Sequence, residues 1–148
     1  MYSWVDKYVG IPFVSLGRTM DGCDCYGLLR LILLNEYNYE LPLLTAGYSD
    51  ALETDKTSTL FQENVPLIIS QQIEAPEEKA VALIQTRGLL SHVALYAGDG
   101  FIIHARHKTG AVCERLSSPW LSACMRGWYR VSESYCTAEC IQHRKDRI

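Results

Sequence analysis

The stretch Ser91-His92-Val93-Ala94-Leu95-Tyr96-Ala97-Gly98-Asp99-Gly100-Phe101-Ile102-Ile103-His104-Ala105-Arg106 decides the fold. Two runs of alternating apolar residues flank Gly98-Asp99-Gly100, which is a hairpin signal. The loop length sets the register. A two-residue Asp99-Gly100 turn pairs Gly98 with Phe101 and sends His92 and His104 to opposite faces, because side chains alternate along a strand. A three-residue loop pairs Ala97 with Phe101, puts Gly100 in the left-handed position of a G1 bulge, and sets His92 against Arg106 and Ala94 against His104. The apolar pattern selects the second register. Val93, Leu95, Ala97, Phe101, Ile103 and Ala105 then share one face, as a core requires. His92, Ala94, Tyr96, Ile102, His104 and Arg106 share the other, with the two histidines as diagonal neighbours within reach of each other. The plain alternative is a pair of surface or core-edge histidines, each satisfied by a backbone group.

Further strands are expected over 79–85, 110–116 and 127–131, with Pro119-Trp120 between the last two. Upstream, a helix is expected from about Asp24 to Tyr37, with Asp21 and Asp24 as N-cap candidates and Asn35 and Asn38 as candidate stops. Cys25, Leu28, Leu29 and Ile32 recur at helical spacing and form one buried stripe. Gly27 lowers helix propensity, so its presence implies a close neighbour, such as another backbone. Residues 39–78 carry Pro42, Pro66 and Pro76 and read as irregular, with a weaker helix over 51–64 limited by Pro66. Helices first and strands later make an α+β class, not an alternating parallel fold. Residues 1–131 read as one catalytic-size domain and 132–148 as a polar tail.

The 148 residues are 48% hydrophobic and 21% charged, with a net charge of −3. That composition excludes disorder, collagen and coiled coil. It supplies no basic field for nucleic acid or an anionic membrane. No apolar run approaches a membrane span, and the first ten residues lack the basic and apolar regions of a signal peptide. Synthesis in the cytoplasm is the expectation. Six cysteines, Cys23, Cys25, Cys113, Cys124, Cys136 and Cys140, read as free thiols rather than as a disulfide framework. Of these, Cys25 opens the predicted helix, where unpaired N–H groups and the helix dipole favour a thiolate. It is therefore expected to have the one depressed thiol pKa. A thiol at a helix start, a strand-borne His92 as base and a second imidazole, His104, to orient it supply the three roles of papain-type catalysis.

These residues carry a resemblance. Asp24-Cys25-Tyr26-Gly27-Leu28 resembles the D-C-S-G-L nucleophile motif of the NlpC/P60 cell-wall peptidases. His92 to Tyr96, the Gly98-Asp99-Gly100 turn and Ile103-His104-Ala105 are similar to that family's base strand, hairpin and third catalytic residue, the histidines lying twelve residues apart. Gly10-Ile11-Pro12-Phe13 resembles its G-x-P-Y lead-in. Gly22-Cys23-Asp24-Cys25, Pro119-Trp120 and Gly127-Trp128-Tyr129-Arg130 resemble a narrower branch, the phage-encoded peptidases of tail gene clusters.

The resemblance implies a papain-like α+β fold with N-terminal helices packed on an antiparallel sheet. It implies hydrolysis of peptidoglycan stem peptides, typically between D-γ-glutamate and a diamino acid, with no metal or organic cofactor. Carried over, Cys25 is the nucleophile, His92 the general base and His104 the residue that orients it. Asp24, Tyr26 and Phe13 fall at substrate-binding positions, Asp24 as a partner for a substrate amine. Tyr26 replaces the family's Ser, Phe13 its Tyr, and Glu78-Lys79 the usual Gly-Asp before the first strand. The narrower branch implies phage tail-tip proteins as partners and delivery to the cell wall as part of a tail. The rival readings are an interbacterial amidase effector of the same fold and a non-enzymatic zinc or thiol module built on Cys136, Cys140 and His143 with Cys23 and Cys25.

Overall fold

The computed structural model describes residues 1–44, 64–86 and 89–137. Two short strands, β1 (Arg18–Thr19) and β2 (Gly22–Cys23), pair with each other and lead into the helix α1 (Cys25–Tyr37). Then come β3 (Ile69–Ile73), β4 (Val81–Thr86), β5 (Leu89–Gly98), β6 (Phe101–Arg106), β7 (Gly110–Arg115), the helix α2 (Pro119–Cys124) and β8 (Met125–Val131). The six longer strands form one antiparallel sheet in the order β3-β8-β4-β5-β6-β7. The architecture is α+β, as the order of sequence signals implies.

The two faces of the sheet hold different cores. Val81, Leu83, Val93, Leu95, Ala97, Ile103 and Ala105 meet Leu28, Leu29, Ile32 and Leu33 of α1 in the main core. Ala80, Ala82, Ile84, Ala94 and Ile102 face the other way and pack with Leu121 of α2 and Trp128 of β8. Residues Val81 to Ile84 are thus buried on both faces, which is why that strand is an unbroken apolar run instead of an alternating one.

The β5–β6 hairpin keeps the expected strand register, with Leu95 opposite Ile103 and Tyr96 opposite Ile102. The turn itself differs from the expectation. Asp99 and Gly100 have φ of 54° and 83°, and Gly98 pairs with Phe101. This is a two-residue turn with positive φ at both central positions, the type that follows strand twist. The odd residue is absorbed by a bulge between Tyr96 and Gly98. The expected face pattern survives because the bulge restores the parity that a two-residue loop alone would invert.

Helix α1 ends where Asn38 adopts a left-handed φ of 60° and its N–H reaches the carbonyl of Leu33. Of the two candidate stops, Asn38 is used and Asn35 stays inside the helix. Besides the short strands β1 and β2, three elements escape the sequence reading. Strand β3 has only two apolar residues, and its exposed Ser70, Gln71 and Gln72 look like loop. Helix α2 is too short for a helical repeat, although Pro119 in its first turn suits a helix start. Residues 64–68 are helical and include Pro66, which was expected to limit a helix there; 51–63 lie outside the described residues. The segment after the domain's last strand is docked at its start. Glu40 N–H donates to the Tyr135 carbonyl, Thr137 N–H to that of Asn38, and Tyr39 Oη lies 2.9 Å from Glu133 Oε1.

Cys23, Cys25, Cys113 and Cys124 are free thiols, as expected, whereas Cys136 is disulfide-bonded. That bond takes Cys136 out of the imagined metal set; Cys140 and His143 lie outside the described residues.

Candidate active site

The site begins with the start of α1. Asp24 is the N-cap, and its Oδ1 accepts from the N–H of Gly27 at 2.8 Å. Its Oδ2 accepts from the N–H of Leu16 at 3.0 Å, and Arg18 Nη1 lies 2.7 Å from Oδ1. Asp24 is only 1% exposed, so both oxygens are engaged inside the protein and the carboxylate expected to meet a substrate amine faces inward. Arg18 also donates to the carbonyls of Gly17, Leu43 and Leu44, tying its own loop and the 43–44 segment to the helix start. A β-carbon on residue 27 would lie 1.9 Å from the Gly17 carbonyl oxygen, so the close backbone inferred from Gly27 is that of Gly17.

This scaffold holds Cys25 as the first residue of α1, packed against the main core. The sulfur receives backbone hydrogen bonds from Val93 and Tyr26. Val93 directly follows His92, so the strand that meets the sulfur, β5, is also the strand that carries the first imidazole. Burial, and secondarily the charge of Asp24, push the Cys25 thiol up to about 12 against the pull of those two bonds and Arg18. This corrects the expectation of a depressed pKa: the helix start favours a thiolate, but enclosure outweighs it. Cys23 is fully buried, with Sγ 3.0 Å from the Thr19 carbonyl, and burial pushes it up to about 11.

The register of β5 and β6 sets His92 and His104 side by side. His92 Nε2 lies 2.8 Å from His104 Nδ1, with the rings at 70° to each other. His92 is driven down to about 3, first by burial and then by the positive potential of His104 and Arg106. His104 is 1% exposed. Burial lowers it too, opposed by the hydrogen bond and charge of Glu114. Both rings are therefore neutral at rest, and the resting thiol is protonated.

Glu114 was not singled out by the sequence. It lies on β7, where Ile102 pairs with Glu114 and His104 with Val112, so Glu114 is the diagonal neighbour of His104. Its Oε1 is 3.1 Å from His104 Nε2 and 2.9 Å from Arg106 Nη1, and its Oε2 accepts from Trp120 Nε1 at 2.9 Å. The Trp120 ring stacks on His104 at 5.8 Å and 20°, and the Arg106 guanidinium lies 5.0 Å over the same ring. Burial opposes ionisation of Glu114, but the bonds from Trp120, His104 and Arg106 prevail and hold it below the usual range. The alternation Val112, Glu114 downstream of His104 was the available signal. Arg18 had none, because its role depends on a loop path that no period encodes.

The remaining expected residues sit around this core. Tyr26 is buried, with Oη 2.5 Å from the Pro42 carbonyl and Arg18 5.2 Å over its ring. Phe13 bridges to Cys23 and meets the ring of His107 edge-on at 5.5 Å. The lead-in runs along β7, where Gly10 N–H donates to Ala111 and Ala111 N–H to Ile11. Among the described residues, no group of three or more His, Cys, Asp or Glu is arranged to hold a metal ion.

Comparison with known proteins places this geometry. The family described as the NlpC/P60 family matches residues 10–130. An NlpC/P60 family protein from Bacillus cereus ATCC 10987 is similar in structure, with a TM-score of 0.60 and 20% identity over 90% of this chain and 40% of that one. An NLP/P60 family protein described as similar to lipoprotein, from Staphylococcus aureus subsp. aureus Mu50, gives 0.59 and 21% over 86% and 38%. The NlpC/p60 domain of the peptidoglycan hydrolase SagA gives 0.57 and 19% over 84% and 91%. The chain thus spans about two-fifths of the first two proteins and nearly all of the third domain. No curated protein sequence matches. With the family's pattern spread over all but the first nine and last eighteen residues, and with the papain-like fold shared, the chain belongs to the NlpC/P60 family.

Proposed function

We propose that the chain is a cysteine peptidase that hydrolyses amide bonds in peptidoglycan stem peptides, at the bond between D-γ-glutamate and a diamino acid. One observation carries the chemistry. His92 Nε2 is already engaged by His104 at 2.8 Å, while the backbone N–H of Val93, the residue next to His92, hydrogen-bonds to the Cys25 sulfur. That leaves His92 Nδ1 as the nitrogen for the thiol. Family membership supports the substrate, and the name of the SagA domain is consistent with it.

The steps follow from the protonation states. His92 takes the Cys25 proton as the sulfur attacks the substrate carbonyl, since burial keeps the resting pair neutral. The tetrahedral oxyanion finds the N–H groups at the start of α1, with that of Cys25 as the candidate donor. The His92 imidazolium then protonates the leaving amine, and water hydrolyses the thioester with His92 again as base. His104 orients His92 and shares the positive charge. Asp24 enters as the residue that fixes the nucleophile, through Gly27 N–H and Arg18, rather than as a partner for the substrate amine. Tyr26 and Phe13 shape the surround.

Digestion of purified peptidoglycan by wild type and Cys25→Ala, with mass spectrometry of the fragments, tests the reading. New amino termini on the diamino acid are expected from wild type alone. Delivery as part of a phage tail is the further element of the proposal, supported by the resemblance of Gly22-Cys23-Asp24-Cys25 and Pro119-Trp120 to the tail-cluster branch. Detection of the chain in purified virions would test it, and its absence from them would favour an effector.

A further inference from the structure

Behind the two imidazoles stands a carboxylate that the chemistry above does not use. We propose that Glu114 is a positioning residue that fixes the tautomers of His104 and His92 and so decides that His92 presents a bare Nδ1 to the thiol. The catalytic consequence rests on the peptidase reading; the tautomers rest on the hydrogen-bond geometry together with a neutral His104.

An ionised carboxylate only accepts hydrogen bonds. Glu114 is kept ionised by Arg106 Nη1 at 2.9 Å and Trp120 Nε1 at 2.9 Å. The contact of 3.1 Å between His104 Nε2 and Glu114 Oε1 therefore requires the proton on Nε2. Burial keeps His104 neutral, so its Nδ1 carries a lone pair. That nitrogen lies 2.8 Å from His92 Nε2, which must then be the donor. A neutral His92 with its proton on Nε2 has Nδ1 free to accept the Cys25 proton. Without the carboxylate the chain of bonds can run backwards. His104 then donates from Nδ1, His92 accepts on Nε2 and holds its own proton on Nδ1, and the thiol has no base. Trp120 enforces the arrangement twice, by stacking on His104 and by holding the second oxygen of Glu114.

The test reads the tautomers directly, by two-bond proton–nitrogen correlation on histidine labelled with nitrogen-15 at neutral pH. Wild type is expected to show both His104 and His92 protonated on Nε2. Glu114→Ala is expected to move protons onto Nδ1 and to slow alkylation of Cys25 by iodoacetamide. On a muropeptide substrate kcat should fall by about 10²-fold or more with KM little changed, since a wrong tautomer alone costs that much or more in a related triad. Glu114→Gln offers a neutral oxygen to the Nε2–H of His104, so it should preserve the tautomers and restore much of kcat. Wild-type His104 protonated on Nδ1, or tautomers unchanged in Glu114→Ala, would overturn the proposal. If Glu114→Ala does not fold, the wild-type spectrum and Glu114→Gln decide. Expected tautomers in a wild type that cleaves no stem peptide would refute the peptidase reading and leave the role of Glu114 standing.

Discussion

The carbonyl oxygen of Gly17 occupies the place where a β-carbon of residue 27 would have to lie, at 1.9 Å. The loop before Cys25 is thus pressed against the helix that carries it. In an open helix, Gly→Ala adds roughly 1 kcal/mol of stability. Here the sign reverses, because the obstacle is backbone and cannot swing aside. Gly27→Ala should destabilise by about 1–3 kcal/mol, the usual range for overpacking, and thermal unfolding measures it. A raised melting temperature would contradict the contact.

Arg18 and Asp24 form a buried pair, with side chains 7% and 1% exposed. Removing one partner of such a pair leaves a charge without compensation, which costs about 3–5 kcal/mol. Arg18→Met should therefore unfold far more readily than wild type. Asp24→Asn should be milder, since an amide oxygen still caps Gly27. Chemical denaturation of both variants distinguishes the two costs.

Stability should fall in mild acid. His92 in the folded chain is lowered from 6.5 to about 3, and His104 is lowered as well. The unfolded chain then binds more protons than the folded one at intermediate pH. The stabilisation is complete above about pH 6.5 and is lost as pH drops from there towards 3. His92→Gln should flatten this part of the denaturation midpoint against pH. A midpoint that rises on acidification would contradict the buried neutral pair.

Cys25 should owe its reactivity to His92 rather than to a standing thiolate. Burial pushes its thiol up to about 12, so alkylation by iodoacetamide at pH 6 should be slow. In His92→Gln the rate at neutral pH should fall at least tenfold, while Cys113 and Cys124 react as before. Peptide mapping assigns the sites. Rapid alkylation of Cys25 in His92→Gln would show that the helix start alone suffices.

How far the sequence could be read depended on whether periodicity or loop path set the feature. The alternation from Val93 to Ala105 yielded the sheet, both of its faces and the pairing of His92 with His104. Helix spacing and Gly27 yielded α1 and its close neighbour. Strand β3 was hidden because Ser70, Gln71 and Gln72 leave it no apolar alternation. The inward burial of Asp24 was hidden because Arg18 reaches it through a loop, and a neighbour in space leaves no spacing to read. The elevated Cys25 pKa was missed for a related reason: a helix start is local and legible, whereas enclosure is a property of the whole fold. Glu114 lay between these cases, in the right parity on β7 but meaningful only once β6 and β7 were paired.

The central claim is that Cys25 attacks a stem-peptide amide with His92 as its base. The most direct measurement is intact-protein mass spectrometry after rapid acid quench of the enzyme with a purified muropeptide, followed by peptide mapping. The account predicts a thioester adduct on Cys25 whose mass equals the part of the stem on the acyl side of the scissile bond, with the new amine released in equal amount. It predicts neither adduct nor cleavage in Cys25→Ala. Cleavage that persists in Cys25→Ala, or release of reducing sugars in place of a new amine, would contradict it.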